Sequence, residues 1–110
     1  MSDPNFQRAN LLARRFSAVA EAAGLNAESL RLTQKLAGIE MEILRIELEL
    51  DRHPGDCELA EAMEATRDQL ATIEAKQNEC ADLYSLREQE IAEIDRQLAA
   101  AISGPAGDGR

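Results

Sequence analysis

A seven-residue repeat extends from Leu25 to Ala101, interrupted only near Pro54. Mostly apolar side chains recur at alternating intervals of four and three along two long stretches of the sequence. That spacing is typical of helices that pack along a narrow seam, as in a coiled coil. The first stretch of the predicted seam consists of Leu25, Ser29, Leu32, Leu36, Ile39, Ile43, Ile46 and Leu50. The second stretch consists of Leu59, Met63, Thr66, Leu70, Ile73, Gln77, Cys80, Tyr84, Arg87, Ile91, Ile94, Leu98 and Ala101.

Local signals predict where the helices begin and end. Ser2 or Asp3 is placed to cap a helix that tolerates proline in its first turn. His53 precedes Pro54 and is therefore disfavoured in the α region, and Asp56 can cap the next helix. The predicted helices are A (4–23), B (27–52) and C (56–102), followed by a disordered tail at 103–110. Gly24 weakens the helical signal between A and B, which are either separated there or joined through a kink.

A reversal at 53–56 brings the two stretches of the seam together. Leu50 then lies beside Leu59, and Leu36 lies beside Ile73. The expected fold is all-α, a long antiparallel helical hairpin in a single domain over residues 1–102. Helix A would contribute Leu12, Phe16, Val19 and Ala23, opposite Leu98, Ile94, Ile91 and Arg87, if one extra residue is accommodated near Gly24. The alternative is a three-helix bundle in which helix A folds back at Gly24.

A second apolar stripe lies on helix B about 150° from the seam, taking about 100° per residue. It consists of Leu30, Ala37, Met41, Leu44 and Leu48. An exposed leucine stripe usually marks an interface. A lone hairpin buries only about two residues in seven, whereas ordering each residue of backbone costs about 1–2 kcal/mol. We therefore expect association, most simply a homodimer, with this stripe serving as the self-interface or as the site of another protein partner.

The net charge of the chain limits which classes of partner it can bind. The chain has 21 acidic and 12 basic residues, which argues against nucleic-acid binding because that affinity is largely cationic. An acidic face that includes Glu61, Glu64 and Asp68 is predicted on helix C. No apolar run approaches the roughly 18–20 residues of a membrane span, so no membrane partner is expected and a cytoplasmic location is the default. Cys57 and Cys80 would stand about 35 Å apart on one helix, which suits a reducing compartment.

No catalytic, cofactor-binding or metal site is predicted. The tip of the hairpin has ligand types in His53, Asp56 and Cys57, but the chain has one histidine and structural zinc sites usually have four Cys or His ligands. We expect a non-enzymatic protein–protein interaction module: a helical adaptor, assembly factor or secretion-type chaperone that acts by helix-on-helix docking. One alternative is an acidic inhibitor or regulator of a nucleic-acid-binding protein. Another is a metal- or thiol-dependent function at the tip.

Overall fold

The chain forms two long helices joined by a short turn. A computed structural model describes residues 3–103, with the side chains of residues 3–101. Helix α1 is Pro4–Arg52 and helix α2 is Cys57–Ser103, and the described part contains no strand. The predicted all-α helical hairpin is therefore confirmed. Of the predicted tail, residues 104–110 lie outside the described residues, and Ser103 is the last residue of α2.

Capping residues fix the helix ends. The Asn5 N–H donates to Asp3 Oδ1 at 3.1 Å, which makes Asp3 the N-cap of α1. At the turn, Asp56 Oδ1 accepts hydrogen bonds from the Glu58 N–H at 2.9 Å and the Leu59 N–H at 3.2 Å. The Asp56 N–H itself donates to the carbonyl oxygen of His53 at 3.1 Å. Asp56 therefore closes the turn and starts α2, as the sequence predicted.

Helix α1 is continuous through Gly24. The alternative of a three-helix bundle is wrong, because the chain does not reverse at this glycine and no described residue has a positive φ. A glycine inside a helix costs only about 1 kcal/mol relative to alanine. Packing along an unbroken seam outweighs that cost, so the helices predicted as A and B form a single element.

The described part of the chain forms two compact units. The turn unit comprises residues 27–81 and includes the reversal. The terminal unit comprises residues 3–26 and 82–103 within the described part of the chain. Each unit is an antiparallel pair of helical segments, one from α1 and one from α2. That residues 1–102 form a single domain stays a prediction.

The seam of the turn unit is the one that the sequence predicted. Every predicted seam residue from Ser29 to Leu50 and from Leu59 to Cys80 is buried or half-buried. Ile46 is fully buried, with an exposed fraction of 0%. The individual cross-helix pairs, such as Leu36 with Ile73, stay predictions. Burial of branched aliphatic side chains on both segments is the main force that holds the hairpin closed.

The seam of the terminal unit differs from the prediction on the α1 side. All four residues assigned to helix A, Leu12, Phe16, Val19 and Ala23, are exposed. The residues that are buried or half-buried instead are Leu11, Arg15, Ala18, Ala22 and Leu25. They continue the spacing of four and three without an extra residue. The more apolar set gave the wrong prediction, because small alanines line this seam and a charged residue, Arg15, occupies one of its positions. On the α2 side, the predicted residues from Tyr84 to Leu98 are buried or half-buried, whereas Ala101 is exposed.

Candidate functional site

The outer stripe of the turn unit consists of Leu30, Ala37, Met41, Leu44 and Leu48 on α1. All five side chains are exposed, as expected for a face opposite the seam. The exposed fractions are 69% for Met41, 53% for Leu44 and 58% for Leu48. These residues repeat at intervals of three, four and seven, so they follow one side of the helix. The structure brings the predicted residues together on one surface, and none of the described residues covers it.

Charged residues flank the outer stripe with opposite signs. Taking about 100° per residue, Glu40 and Glu47 lie on one side of the stripe. Arg31, Arg45 and Arg52 lie on the other side, and all five side chains are exposed. The outer stripe therefore has an acidic edge and a basic edge. Charged residues flank the contact face of a coiled-coil helix in the same way.

The basic edge is held by hydrogen bonds along α1. The Arg45 guanidinium donates to both carboxylate oxygens of Glu42, at 3.1 and 2.7 Å, and lies 3.5 Å from Glu49. The hydrogen bonds between Arg45 and Glu42 raise the pKa of Arg45 and lower the pKa of Glu42. Arg31 donates to one carboxylate oxygen of Glu28, which also lies three residues before it. These neighbours orient the arginines, and both side chains stay exposed to solvent.

The acidic edge has a different environment. Glu47 lies 3.8 Å from Arg67 of α2, a long ion pair between two exposed side chains. Such a pair contributes little to stability, about 0–1 kcal/mol. Glu40 has no ion pair within 4.0 Å among the described residues. The carboxylate of Glu40 is therefore available to a basic group from outside the chain.

The acidic face of α2 is also exposed. Glu61, Glu64 and Asp68 lie on the side of α2 that points away from the seam, at intervals of three and four. Their carboxylates make no ion pair with any residue that the structure describes. The predicted acidic face thus exists as a solvated surface, and its charge is not neutralised by the rest of the described chain.

Polar residues in the seam of the turn unit have local or cross-helix partners. The Thr66 hydroxyl donates to the carbonyl oxygen of Ala62 at 2.7 Å. The Gln77 side-chain amide donates to the Thr33 hydroxyl at 3.2 Å, a hydrogen bond that joins α2 to α1. The Thr33 hydroxyl donates in turn to the carbonyl oxygen of Ser29 at 3.0 Å. This chain of hydrogen bonds favours one register of the two helices.

Two ion pairs cross the terminal unit. Arg15 donates to both carboxylate oxygens of Asp95, at 2.6 and 3.4 Å, and this raises the pKa of Arg15 and lowers that of Asp95. Arg87 donates to Glu21 at 2.8 Å, which raises the pKa of Arg87. The buried Nε of Arg87 makes no hydrogen bond with any residue that the structure describes, although Glu90 lies 3.6 Å away. The pairs explain how two arginines occupy seam positions.

Sequence reasoning missed an exposed apolar surface in the terminal unit. Phe6 is 69% exposed and Phe16 is 78% exposed, and Leu12 and Val19 are also exposed. A signal for this was present in the sequence, where Phe16, Ala23, Leu30, Ala37 and Leu44 recur every seven residues. That repeat assigns Phe16 and Ala23 to the outer heptad positions of α1 and not to the seam.

The tip of the hairpin does not form a ligand cluster. The Asp56 carboxylate is occupied by helix capping, and the exposed Cys57 thiol lies 4.0 Å from the carbonyl oxygen of Gly55. Over residues 3–101, no three His, Cys, Asp or Glu side chains are placed to share a metal ion. Cys80 is buried in the seam, and no disulfide joins it to Cys57.

The fold and its surface define a two-helix hairpin with an apolar outer stripe on one helix and an acidic face on the other. Comparison of the chain with known protein families, with curated proteins and with solved structures gives no significant match. Within the described part of the chain, neither helix has the length of apolar sequence needed to cross a membrane.

Proposed function

We propose that this protein is a non-enzymatic interaction module that binds other proteins by helix-on-helix docking at the outer stripe. The observation that carries the proposal is the row of large apolar side chains, from Leu30 to Leu48, that α2 does not cover. A continuous apolar strip with charged edges is typical of a surface that receives an amphipathic helix. Adaptors, assembly factors and secretion-type chaperones use such surfaces.

The rigidity of α1 supports the proposal. The stripe lies on a helix that is already ordered by packing of its opposite face against α2, with Ile46 and Leu32 buried in the seam. Docking therefore does not have to order the helix at the moment of binding, which lowers the entropic cost of association. Cys57 and Cys80 lie 23 residues apart on α2 and cannot bridge each other, so this pair does not require an oxidising compartment, and we propose a cytoplasmic location.

A second candidate function uses the acidic face. Glu61, Glu64 and Asp68 are exposed and have no ion-pair partner in the described chain. Helix α2 as a whole carries 11 acidic and four basic residues. A surface of this sign attracts basic protein surfaces, including those with which other proteins contact nucleic acids. In this alternative, the protein is an acidic inhibitor or regulator of a nucleic-acid-binding protein.

Affinity capture from the source cell with matched variants separates the two candidates. The full chain is immobilised as wild type, as Leu44→Glu and as Glu64→Lys, and captured proteins are identified by mass spectrometry. Docking at the stripe predicts partners that are lost with Leu44→Glu and retained with Glu64→Lys. The opposite pattern supports the acidic regulator. If neither variant loses any partner, both surfaces are wrong.

A further inference from the structure

We infer that the helix which docks on the outer stripe is α1 of a second copy of this chain, packed parallel and in register. The inference rests on the proposed function, because it names the occupant of the same surface. It follows from two observations within the turn unit: the signs of the charges along the two edges of the stripe, and the place of Gln34 within it.

The first observation is the order of the edges. When two identical helices pack face to face in parallel, the left edge of one meets the right edge of the other, whereas in an antiparallel pair like edges meet. On α1 one edge carries Glu40 and Glu47, and the other carries Arg31, Arg45 and Arg52. The acidic and basic edges therefore attract in the parallel arrangement and repel in the antiparallel one.

The spacing of these charges fits the same arrangement. If the stripe is treated as the contact face of a coiled coil, Met41 and Leu48 take the first core position of the heptad, and Leu30 and Leu44 take the second. Each residue of the acidic edge then faces the basic-edge residue five places later in the sequence of a parallel partner. Glu40 meets Arg45 of the second copy, and the next acidic residue, Glu47, meets Arg52. By the two-fold symmetry each pair occurs twice.

The second observation is Gln34, an exposed residue at a core position of the stripe. In the parallel, in-register pair Gln34 faces its own copy, and two side-chain amides can donate to and accept from each other. In an antiparallel pair centred on the stripe, Gln34 would face Leu44 and lose water without gaining a hydrogen bond. A single polar residue at such a position specifies register and the number of strands.

The glutamates that pair with Arg45 along α1 do not block its pairing with Glu40 of a second copy. Arg45 is held by Glu42 and Glu49 on the side of α1 away from the stripe, and its side chain is 56% exposed. A guanidinium has five N–H donors, so it can donate to a further carboxylate without releasing the first. Asp51, at the next core position after Leu48, would face its own copy. The stripe therefore ends at Leu48.

Two single substitutions test the orientation by the sign of their effect. The full chain is compared with Glu40→Arg and Arg45→Glu by sedimentation velocity across a dilution series, with helicity checked by circular dichroism. In the parallel dimer each variant replaces two attractive contacts by two repulsive ones, and self-association weakens about tenfold. In the heterodimer that forms in an equimolar mixture of the two variants, both altered contacts are attractive again, and we expect the wild-type affinity. In an antiparallel dimer centred on the stripe, Arg45 faces Arg31 of the second copy, so Arg45→Glu replaces repulsion by attraction and strengthens association. Glu40 faces its own copy there, so Glu40→Arg exchanges one like-charge contact for another and does not weaken association.

A cysteine cross-link gives an independent result. Leu48→Cys is made in a Cys57→Ser background, with Cys57→Ser alone as the control. In the parallel dimer, residue 48 lies beside its own copy, and oxidation gives a covalent dimer that the control does not form. Cross-linking only after Leu48→Cys protein is mixed with Leu30→Cys protein would show antiparallel packing and overturn the inference.

The outcomes also separate this inference from the proposed function. A wild-type chain that is monomeric at a concentration on the order of 100 micromolar would overturn self-docking. Variants with unchanged or tighter self-association would overturn the parallel arrangement. Capture of a partner that still requires Leu44 in that case leaves the docking module intact. A dimer with the expected charge dependence supports the inference whether or not another partner is captured.

Discussion

The outer faces of α1 and α2 occupy equivalent positions on the two helices of the hairpin, yet their surfaces differ in kind. Among the described residues, eight large apolar side chains are exposed on α1 and two on α2. Helix α1 carries seven acidic and seven basic residues, whereas α2 carries 11 acidic and four basic residues. Two helices that only had to cover each other would not need this asymmetry. The contrast is the basis of our proposal that α1 receives another helix, whereas α2 presents a charged surface to solvent.

The largest expected effect is on the buried seam between the two helices, which should supply the stability that the outer faces do not. Ile46→Ala removes a fully buried side chain, and we expect the free energy of unfolding to fall by about 2–5 kcal/mol. Leu44→Ala, two residues away on the exposed side of the same helix, is the matched control and should cost less than about 1 kcal/mol. Urea unfolding at sub-micromolar protein, where association contributes least, measures both. Equal losses would mean that the two faces are not distinct.

Making the outer face of α1 resemble that of α2 should abolish docking. Leu44→Glu places a carboxylate in the outer stripe, and we expect self-association to weaken at least about tenfold because a charge would be buried without a partner. Ala71→Glu adds the same charge at the equivalent heptad position of α2 and should leave association unchanged. Sedimentation velocity of both variants gives the comparison. Loss of association with Ala71→Glu alone would reverse the roles of the two helices.

A substitution that tests the continuity of α1 should have a smaller effect on stability, and of the opposite sign. A Cβ at Gly24 would meet nothing within 4 Å, and the residue is helical. Gly24→Ala should therefore raise the free energy of unfolding by about 0.5–1 kcal/mol. Thermal unfolding followed by circular dichroism measures the change. A chain that turned back at this position would instead be destabilised by alanine.

The smallest expected effect is on the pH dependence of stability, where Asp95 of α2, which pairs with an arginine, should differ from the unpaired acidic residues on the outer face of α2. The hydrogen bonds from Arg15 lower the pKa of Asp95 in the folded state, so the stability from this pair is present above the ordinary pKa of Asp, about 4. That stability is lost as the pH falls through the lower folded-state pKa. Asp95→Asn should slightly lower the urea midpoint at neutral pH and flatten its decline below about pH 4. Glu64→Gln, the control, should not flatten it.

The turn and the seam of the turn unit could be predicted from the sequence because local chemistry and spacing agree there. Pro54 ends one helix, Asp56 caps the next, and branched apolar residues mark the buried side. The outer stripe could be predicted for the same reason, since two apolar stripes on one helix cannot both face α2.

The terminal unit could not be predicted in the same way, because hydrophobicity is a poor guide where the seam is small and charged. Ala18 and Ala22 are buried while Phe16 stays exposed, which reverses the order that residue hydrophobicity suggests. Arg15 and Arg87 occupy seam positions because Asp95 and Glu21 lie within hydrogen-bond distance, and only the structure shows those pairings. The unbroken spacing of four and three was the more reliable signal.

Oxidation of the methionines at increasing protein concentration tests most directly whether another helix covers the outer stripe. Met41 is 69% exposed within the stripe, whereas Met63 is 8% exposed in the seam and serves as the internal control. Peroxide oxidation, read by mass spectrometry of the peptides, should slow at Met41 as the chain associates and stay slow at Met63 throughout. An oxidation rate at Met41 that is the same at every concentration would contradict the account.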